Sequence, residues 1–151
     1  MRKRKNGVAA RRGSARHGRP TRSMLAAMAA LAREARDRAH APFSRFKVGA
    51  ALKTRTGEIV TGCNIENASY GLTMCAERVA VFKAVSEGLA DFDAVAVVAD
   101  SRRLTPPCGP CRQILWEFCG DLVVHMVDLK GRSRTLRLRK LLPLPFDKSN
   151  L

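Results

Sequence analysis

Three cysteines with the spacing of a metal site lie at the predicted starts of two helices. Cys108 and Cys111 form a C-x-x-C pair, and Cys75 lies in the stretch TMCAERVAVF. The C-x-x-C pair can hold one zinc ion tetrahedrally, and Cys75 would add a third thiolate. Three protein ligands and one open position are typical of a catalytic zinc site. The alternatives are a redox pair, which no surrounding thioredoxin-like pattern supports, and ordinary buried cysteines.

The other cysteines and the histidines are weaker candidates for a fourth ligand. Cys63 ends a predicted strand, and Cys119 follows Cys111 by about two helical turns. The three histidines lie in the N-terminal region, at the end of the first predicted helix and inside a predicted strand: His17, His40 and His125. The sequence therefore predicts three zinc ligands from the protein.

Glu77 is the residue that would give this site its chemistry. On a regular helix, about 100° per residue would place Cys75 and Glu77 on nearly opposite sides. They can share a site only if Cys75 precedes the regular helix, where helix N–H groups would also lower the thiol pKa. Glu77 could then take a proton from water at the open position and return it to a leaving group. The alternative is an acidic residue that only complements the helix dipole.

Arg78 is the predicted counter-charge of the site. Three thiolates and one Zn²⁺ carry a net charge of −1, which would make a water at the metal less acidic. A neighbouring guanidinium offsets that charge, and Arg78 directly follows Glu77. Its alternative role is a surface salt bridge.

Length and composition predict one globular domain. The chain has 151 residues, of which 46% are hydrophobic. Five cysteines are too few for a disulfide scaffold, and neither a secretory signal nor an apolar run near 18 residues is present. We therefore expect a reducing, cytoplasmic location and no membrane span.

Positive charge is concentrated at the N-terminus. The net charge is +15, and residues 1–23 contain nine Lys and Arg residues and no acidic residue. We predict a disordered basic tail over 1–23 and a folded domain over 24–151. The tail could bind nucleic acid or acidic surfaces, could be a targeting segment, or could lie upstream of a true translation start at Met24.

The predicted elements follow the order α-β-β-α-β-α-β-β. The first helix is expected to start at an N-cap Ser23 and to end at Pro42, and a hairpin turns at Thr56-Gly57. The remaining helices and strands are predicted over 75–88, 93–100, 108–120, 122–127 and 134–140. This order favours a sheet with helices packed on its faces and some parallel pairing in the second half.

From about residue 25 to the C-terminus, the sequence resembles the small, homotetrameric, zinc-dependent cytidine deaminases. The resemblance lies in the motifs APFSRFKVGAAL, GCNIENASYG, MCAERVA, PCGPCRQ and LLP-x-x-F. It implies an α/β three-layer sandwich, with a mixed five-stranded sheet and helices on both faces. Phe43 departs from the family pattern, in which tyrosine is common at this position.

The resemblance also implies the chemistry of the site. One zinc per chain would be bound by Cys75, Cys108 and Cys111, with Glu77 as the proton shuttle. Water activated at the zinc would attack C4 of cytosine, and ammonia would leave. The products would be uridine or deoxyuridine, as in pyrimidine salvage.

Substrate contacts are implied in the same way. Asn64 and Glu66 would bind the ribose hydroxyls, Phe46 would pack against the pyrimidine, and the Ala76 N–H would bind the base. The further positions, Tyr70 and Phe146, would reach the site of a neighbouring subunit. Taken singly, these residues have simpler roles open to them: a turn residue, ordinary core, or cover for a sheet edge.

Three other functions compete with this interpretation. One is a deaminase of another aminopyrimidine nucleoside, such as an antibiotic nucleoside, against which Glu66 argues because a carboxylate suits the free hydroxyls of a sugar. Another is a polynucleotide-editing deaminase, which usually has histidine as its first ligand. The last is a zinc-stabilised nucleic-acid-binding module, which would bind with strong salt dependence and without turnover.

Overall fold

A mixed five-stranded sheet forms the centre of the computed structural model, which describes residues 20–151. The helices are α1 (Arg22–Asp37), α2 (Ala76–Ser86) and α3 (Gly109–Cys119), and the strands are β1 (Val48–Thr54), β2 (Ile59–Cys63), β3 (Phe92–Ala99), β4 (Val123–Asp128) and β5 (Ser133–Arg137). The strand order is β2-β1-β3-β4-β5, with β3 and β4 parallel and the other neighbours antiparallel. The predicted element order and the parallel pairing around α3 are confirmed.

The helices cover both faces of the sheet, as the resemblance implied. Alternate residues of β3 point to opposite faces, because side chains alternate along a strand. Ala96 packs with Met28 and Ala32 of α1, whereas Val95 and Val97 belong to the core that α2 and α3 cover. The result is a three-layer α/β sandwich.

Two glycines bring the helices into close contact with the sheet. A Cβ atom at Gly49 in β1 would lie 1.9 Å from the Ala32 carbonyl oxygen of α1. A Cβ atom at Gly62 in β2 would lie 2.5 Å from the Ala76 carbonyl oxygen at the start of α2. Any side chain at Gly62 would therefore displace the helix entrance that carries Cys75.

The first helix begins two residues earlier than its predicted cap implies. Thr21, with extended dihedrals, is the N-cap, and its Oγ1 accepts a hydrogen bond from Met24 N at 3.2 Å. The prediction of Ser23 as N-cap is wrong, because the hydroxyl of Thr21 satisfies the helix N-terminus first and Ser23 then lies in the first turn. Most of the predicted tail, with His17, lies outside the described residues.

The end of α1 also differs from the prediction. The helix ends at Asp37, and the Arg38 N–H bonds to the carbonyls of the last turn. Pro42 therefore does not terminate the helix. The chain has already turned away, so that the backbone of His40 can pair with Ile65.

The predicted strand 134–140 is only partly a strand. β5 ends at Arg137, and Leu138–Lys140 form a 3-10 turn. Leu138 is fully buried and donates its N–H to the Leu122 carbonyl at 3.0 Å. Burial of this leucine draws the chain out of the sheet edge. The other predicted elements agree with the structure to within two residues at each end.

None of the helices among residues 20–151 has the length and apolar character that crossing a bilayer requires.

Candidate active site

Two cysteines occupy equivalent positions at the entrances of neighbouring helices. Cys75 is the N-cap of α2, with φ −74° and ψ 153°, and Cys108 is the N-cap of α3, with φ −65° and ψ 168°. Both residues are extended, so Cys75 precedes the regular helix as expected. Cys111 lies in the first turn of α3, where Pro110 fits because its position needs no N–H donor.

The three sulfur atoms lie together at these two helix entrances. They are all within 4.8 Å of one another, and the Sγ atoms of Cys75 and Cys108 are 3.8 Å apart. Zinc–sulfur bonds of about 2.3 Å in a tetrahedron place two sulfurs about 3.8 Å apart. Cys111 is buried, whereas Cys108 is exposed on the open side of the cluster. Within residues 20–151, neither Cys63 nor a histidine joins this group.

The electrostatics of the cluster favour a thiolate at Cys75. A hydrogen bond from the Cys111 thiol, assisted by Arg78, lowers the pKa of Cys75 to about 5, although burial opposes the shift. The same hydrogen bond and burial raise the pKa of Cys111. Neither N-cap sulfur accepts a hydrogen bond from a backbone N–H of its own helix, so the expected contribution from helix N–H groups is not seen as a hydrogen bond. The sulfurs turn towards each other instead.

Glu77 is buried beside this cluster, with 5% of its surface exposed. Burial is the main cause of a pKa raised to about 7; the negative charge of Cys75 contributes to the rise, while hydrogen bonds from its own backbone and from the Cys111 thiol and the charge of Arg78 act in the opposite direction. A carboxyl group with this pKa can both accept and release a proton near neutrality. These properties suit the proton shuttle that the sequence predicted.

Arg78 contacts the cluster directly. Its Nη2 donates to the Thr73 carbonyl at 2.9 Å and lies 3.6 Å from Cys75 Sγ. In the part of the chain that the structure describes, it forms no ion pair with a carboxylate. The surface salt bridge considered from the sequence is therefore not formed.

The predicted sugar-binding segment is hydrogen-bonded to Met74, the residue that precedes Cys75. Ile65 and Met74 exchange both backbone hydrogen bonds at 2.9 Å. Glu66 N also donates to the His40 carbonyl at 2.8 Å. These bonds hold Ile65 beside Met74, the residue next to the zinc-ligand candidate Cys75.

Asn64 is held by the backbone that leads into β1. Its side chain is 8% exposed, its Oδ1 accepts from Val48 N at 2.8 Å, and its Nδ2 donates to the Phe46 carbonyl at 2.9 Å. Asn64 therefore also has a structural role, although it lies in no turn as the simpler alternative supposed. One N–H of its amide is left for a ligand.

Glu66 accepts three hydrogen bonds from the neighbouring turn. Its Oε2 accepts from Phe43 N at 2.8 Å and from Ser44 N at 3.2 Å, and its Oε1 accepts from Ser44 Oγ. The Ser44 hydroxyl is the main cause of a lowered pKa at Glu66, so this carboxylate is ionised at neutral pH. The sequence analysis did not predict a role for Ser44. Its position inside the family motif APFSRFKVGAAL could have indicated one.

The remaining predicted contacts provide exposed aromatic surface and one backbone donor. Phe46, Tyr70 and Phe146 are 38%, 71% and 58% exposed. The Phe146 carbonyl accepts from Gln113 Nε2 at 2.5 Å, which ties the C-terminal segment to α3. Ala76 is the first residue of α2, so its N–H has no partner within the helix. Their contacts with substrate stay predictions.

Comparison with known proteins places this site in one family. Residues 22–127 match the cytidine and deoxycytidylate deaminase zinc-binding region. The cytidine deaminase of Halalkalibacterium halodurans is 53% identical over 114 residues, which cover 75% of this chain and 86% of that protein. A blasticidin-S deaminase of Bacillus cereus is 32% identical over 114 residues, which cover 70% of this chain and 81% of that protein.

A solved structure agrees with the fold. The crystal structure of cytidine deaminase from Burkholderia pseudomallei superimposes with a TM-score of 0.78 at 44% identity, covering 80% of this chain and 98% of that chain. The matched zinc-binding region contains all three clustered cysteines, and their spacing fits one zinc per chain. The chain therefore belongs to the cytidine and deoxycytidylate deaminase family.

Proposed function

We propose that this protein catalyses the zinc-dependent hydrolytic deamination of cytidine and deoxycytidine, which yields uridine or deoxyuridine and ammonia. The observation that carries the proposal is the cluster of Cys75, Cys108 and Cys111 beside the buried carboxyl group of Glu77. A binding module has no need of a buried carboxyl group whose pKa lies near 7. The 53% identical cytidine deaminase supports cytidine over other aminopyrimidine nucleosides.

The three cysteines would hold the metal, and the neighbouring residues would carry out the proton transfers. When bound, zinc supplies a Lewis acid that makes water acidic enough to act as a nucleophile near neutral pH. The Glu77 carboxylate takes a proton as water attacks C4 of the base, and it delivers a proton to the amino group that leaves as ammonia. Arg78 offsets the excess negative charge of the thiolates.

Substrate orientation is assigned to the residues around the turn before β1. We propose that Phe46 packs against the pyrimidine, that the free Ala76 N–H donates to the base, and that Asn64 and Glu66 bind the sugar. A carboxylate has about four acceptor positions, of which three are occupied at Glu66. The position that remains, together with the free N–H of Asn64, suits one sugar hydroxyl.

This count of donors and acceptors bears on the choice of sugar. A single hydroxyl can donate to Glu66 and accept from Asn64 at the same time. If that hydroxyl is one that both sugars carry, the pair does not distinguish cytidine from deoxycytidine. We expect kcat/KM values for the two nucleosides that agree within about tenfold, since neither loses a buried hydrogen bond at this pair.

The test of the proposed function is the loss of cytidine absorbance with purified protein, beside Glu77→Gln. We expect the variant to keep one zinc per chain and to lose at least about a hundredfold in kcat, because a positioned acid–base group contributes that much. Glu87→Gln, at the exposed C-cap of α2, is the matched control and should retain activity.

Three outcomes would contradict the proposal. The first is wild-type protein that contains zinc but converts neither nucleoside. The next substrate to test would then be the antibiotic nucleoside blasticidin S, because the 32% identical relative is a blasticidin-S deaminase. Unchanged turnover in Glu77→Gln would remove the proton shuttle from the mechanism. Salt-dependent binding of RNA without any turnover would favour the nucleic-acid-binding module.

We also propose a homotetramer, in which Tyr70 and Phe146 complete a neighbouring subunit's site. Their exposure supports this role, and Phe82 on α2 and Phe118 on α3 present a further pair of partly exposed rings, 6.2 Å apart. Sedimentation equilibrium gives the mass of the assembly. Tyr70→Ala should lower activity in the assembled protein, whereas a fully active monomer would contradict the proposal.

The proposed cellular location rests on the cysteines. All five cysteines are unpaired, which suits a reducing compartment such as the cytoplasm, where the reaction would serve pyrimidine salvage. We propose that the deaminase domain, expected over 24–151, begins with α1 at Arg22 and that any binding of nucleic acid is confined to the basic tail before it. Removal of residues 1–19 should abolish salt-dependent RNA binding and leave cytidine turnover unchanged.

A further inference from the structure

The turn between α1 and β1 has an unusual backbone conformation at its tip. Arg45 has a φ of +57°, in the left-handed region that a residue with a side chain rarely adopts. Such conformations persist when the surrounding contacts hold them. The turn carries Phe46, the proposed pyrimidine contact, so the contacts that hold Arg45 in this conformation also place Phe46.

The hydroxyl of Ser44 joins the two halves of the proposed nucleoside site. It donates to Glu66 Oε1 and accepts a hydrogen bond from Phe46 N at 2.9 Å. Its donor and one of its acceptor positions are thus used by two proposed substrate contacts. The Ser44 backbone adds a third link, because its N–H donates to Glu66 Oε2 at 3.2 Å.

Asn64 secures the opposite side of the same peptide segment. While Ser44 binds the N–H of Phe46, Asn64 Nδ2 binds the carbonyl of Phe46 at 2.9 Å, and Asn64 Oδ1 binds Val48 N at 2.8 Å. Both polar groups of the Phe46 backbone are therefore held by side chains. The groups proposed to bind sugar and those proposed to bind base form one hydrogen-bonded unit.

We propose that Ser44 is a positioning residue for nucleoside recognition, which fixes the Glu66 carboxylate towards the sugar and links it to the turn that carries Phe46. The inference rests on the proposed function, because it assigns Glu66 to the sugar. Ser44 acts through its hydroxyl and does not itself contact the substrate. Alanine removes the donor to Glu66 Oε1, so that only Oε2 stays held, by the backbone N–H groups of Phe43 and Ser44, and the direction of the other oxygen is no longer fixed.

The test compares cytidine with 2′,3′-dideoxycytidine, which lacks both hydroxyls of the ring. We expect Ser44→Ala to lower the ratio of their kcat/KM values by about tenfold, mainly through KM for cytidine, since a hydrogen bond to a charged group is worth about that factor. Ser44→Thr keeps a hydroxyl and should restore the ratio. Ser86→Ala, whose hydroxyl donates to the Lys83 carbonyl on α2 at 2.8 Å, is the control.

Zinc content and thermal midpoint establish that each variant is folded. Ser44→Gly also removes the hydroxyl and suits a turn. It should lower the ratio of the two kcat/KM values as Ser44→Ala does. In a Glu66→Gln background, Ser44→Ala should have a much smaller effect, because the charged partner is absent. An unchanged ratio in Ser44→Ala, or an equal effect in both backgrounds, would overturn the inference. Wild-type protein without activity on cytidine would instead overturn the proposed function.

Discussion

The guanidinium of Arg78 lies 3.6 Å from the sulfur of Cys75. Arg78 Nη2 also donates a hydrogen bond of 2.9 Å to the Thr73 carbonyl, and this bond holds the guanidinium beside the sulfur. The positive charge therefore stands where thiolate charge accumulates, and it also lowers the pKa of Glu77. One side chain thus acts electrostatically on both the metal ligands and the proton shuttle.

Replacement of Arg78 should change the pH dependence of catalysis. In Arg78→Gln, the net negative charge of the site is no longer offset, so ionisation of both the water and Glu77 requires a higher pH. We expect the acidic limb of the kcat/KM profile to move up by about one pH unit or more. Lys83→Gln removes a charge from the same helix, at a side chain that binds the Thr61 carbonyl, and should leave the profile in place. An unshifted profile in Arg78→Gln would contradict the assigned role.

Zinc content should separate the ligand cysteines from the others. Cys108→Ser should reduce zinc from one per chain to well below one and abolish turnover, because the serine hydroxyl is not ionised near neutral pH and binds zinc poorly. Cys63, at the end of β2, lies outside the cluster, so Cys63→Ser should keep its zinc. Metal analysis of both dialysed proteins measures the zinc content per chain. Retention of zinc in Cys108→Ser would exclude Cys108 as a ligand.

The close packing of α2 on β2 predicts a linked loss of stability and metal binding. In Gly62→Ala, the new Cβ would lie 2.5 Å from the Ala76 carbonyl and 2.6 Å from Ala80 N, so the helix must shift. We expect a loss of about 1–3 kcal/mol in the free energy of unfolding, together with weaker zinc binding. In Gly71→Ala, the new Cβ would lie within 4 Å of no atom of residues 20–151 apart from its chain neighbours, so this variant is the control. Urea unfolding and zinc titration measure the two effects; equal stability of both variants would refute the packing argument.

His125 should make stability depend on pH. Its ring is buried in β4, with Nδ1 2.8 Å from Thr135 Oγ1, and burial lowers its pKa below 6.5. As the pH falls below 6.5, the unfolded chain binds the proton first, so the free energy of unfolding decreases down to the folded pKa. His125→Asn can keep the bond to Thr135 and should lose less stability between pH 7.5 and 5.5. Equal losses in urea unfolding would contradict this assignment.

Local patterns accounted for most of the elements, and their errors have specific causes. The hairpin at Thr56-Gly57 and the helix starts at Cys75 and Cys108 depend on short-range backbone preferences, and all were predicted correctly. The alternating polarity of residues 134–140 predicts a strand that includes Leu138. Its burial against distant residues overrides that local preference.

Within the candidate site, the sequence by itself determined the chemistry: three thiolates at two helix starts, and a carboxyl group two residues after Cys75. The tertiary structure alone decided that the entrances of α2 and α3 meet, that Glu77 is buried with a raised pKa, and that Ser44 binds Glu66 across 22 positions of sequence. The physical reason is range. Helix capping and turns depend on adjacent residues, whereas burial and side-chain contacts depend on segments that only the folded sheet brings together.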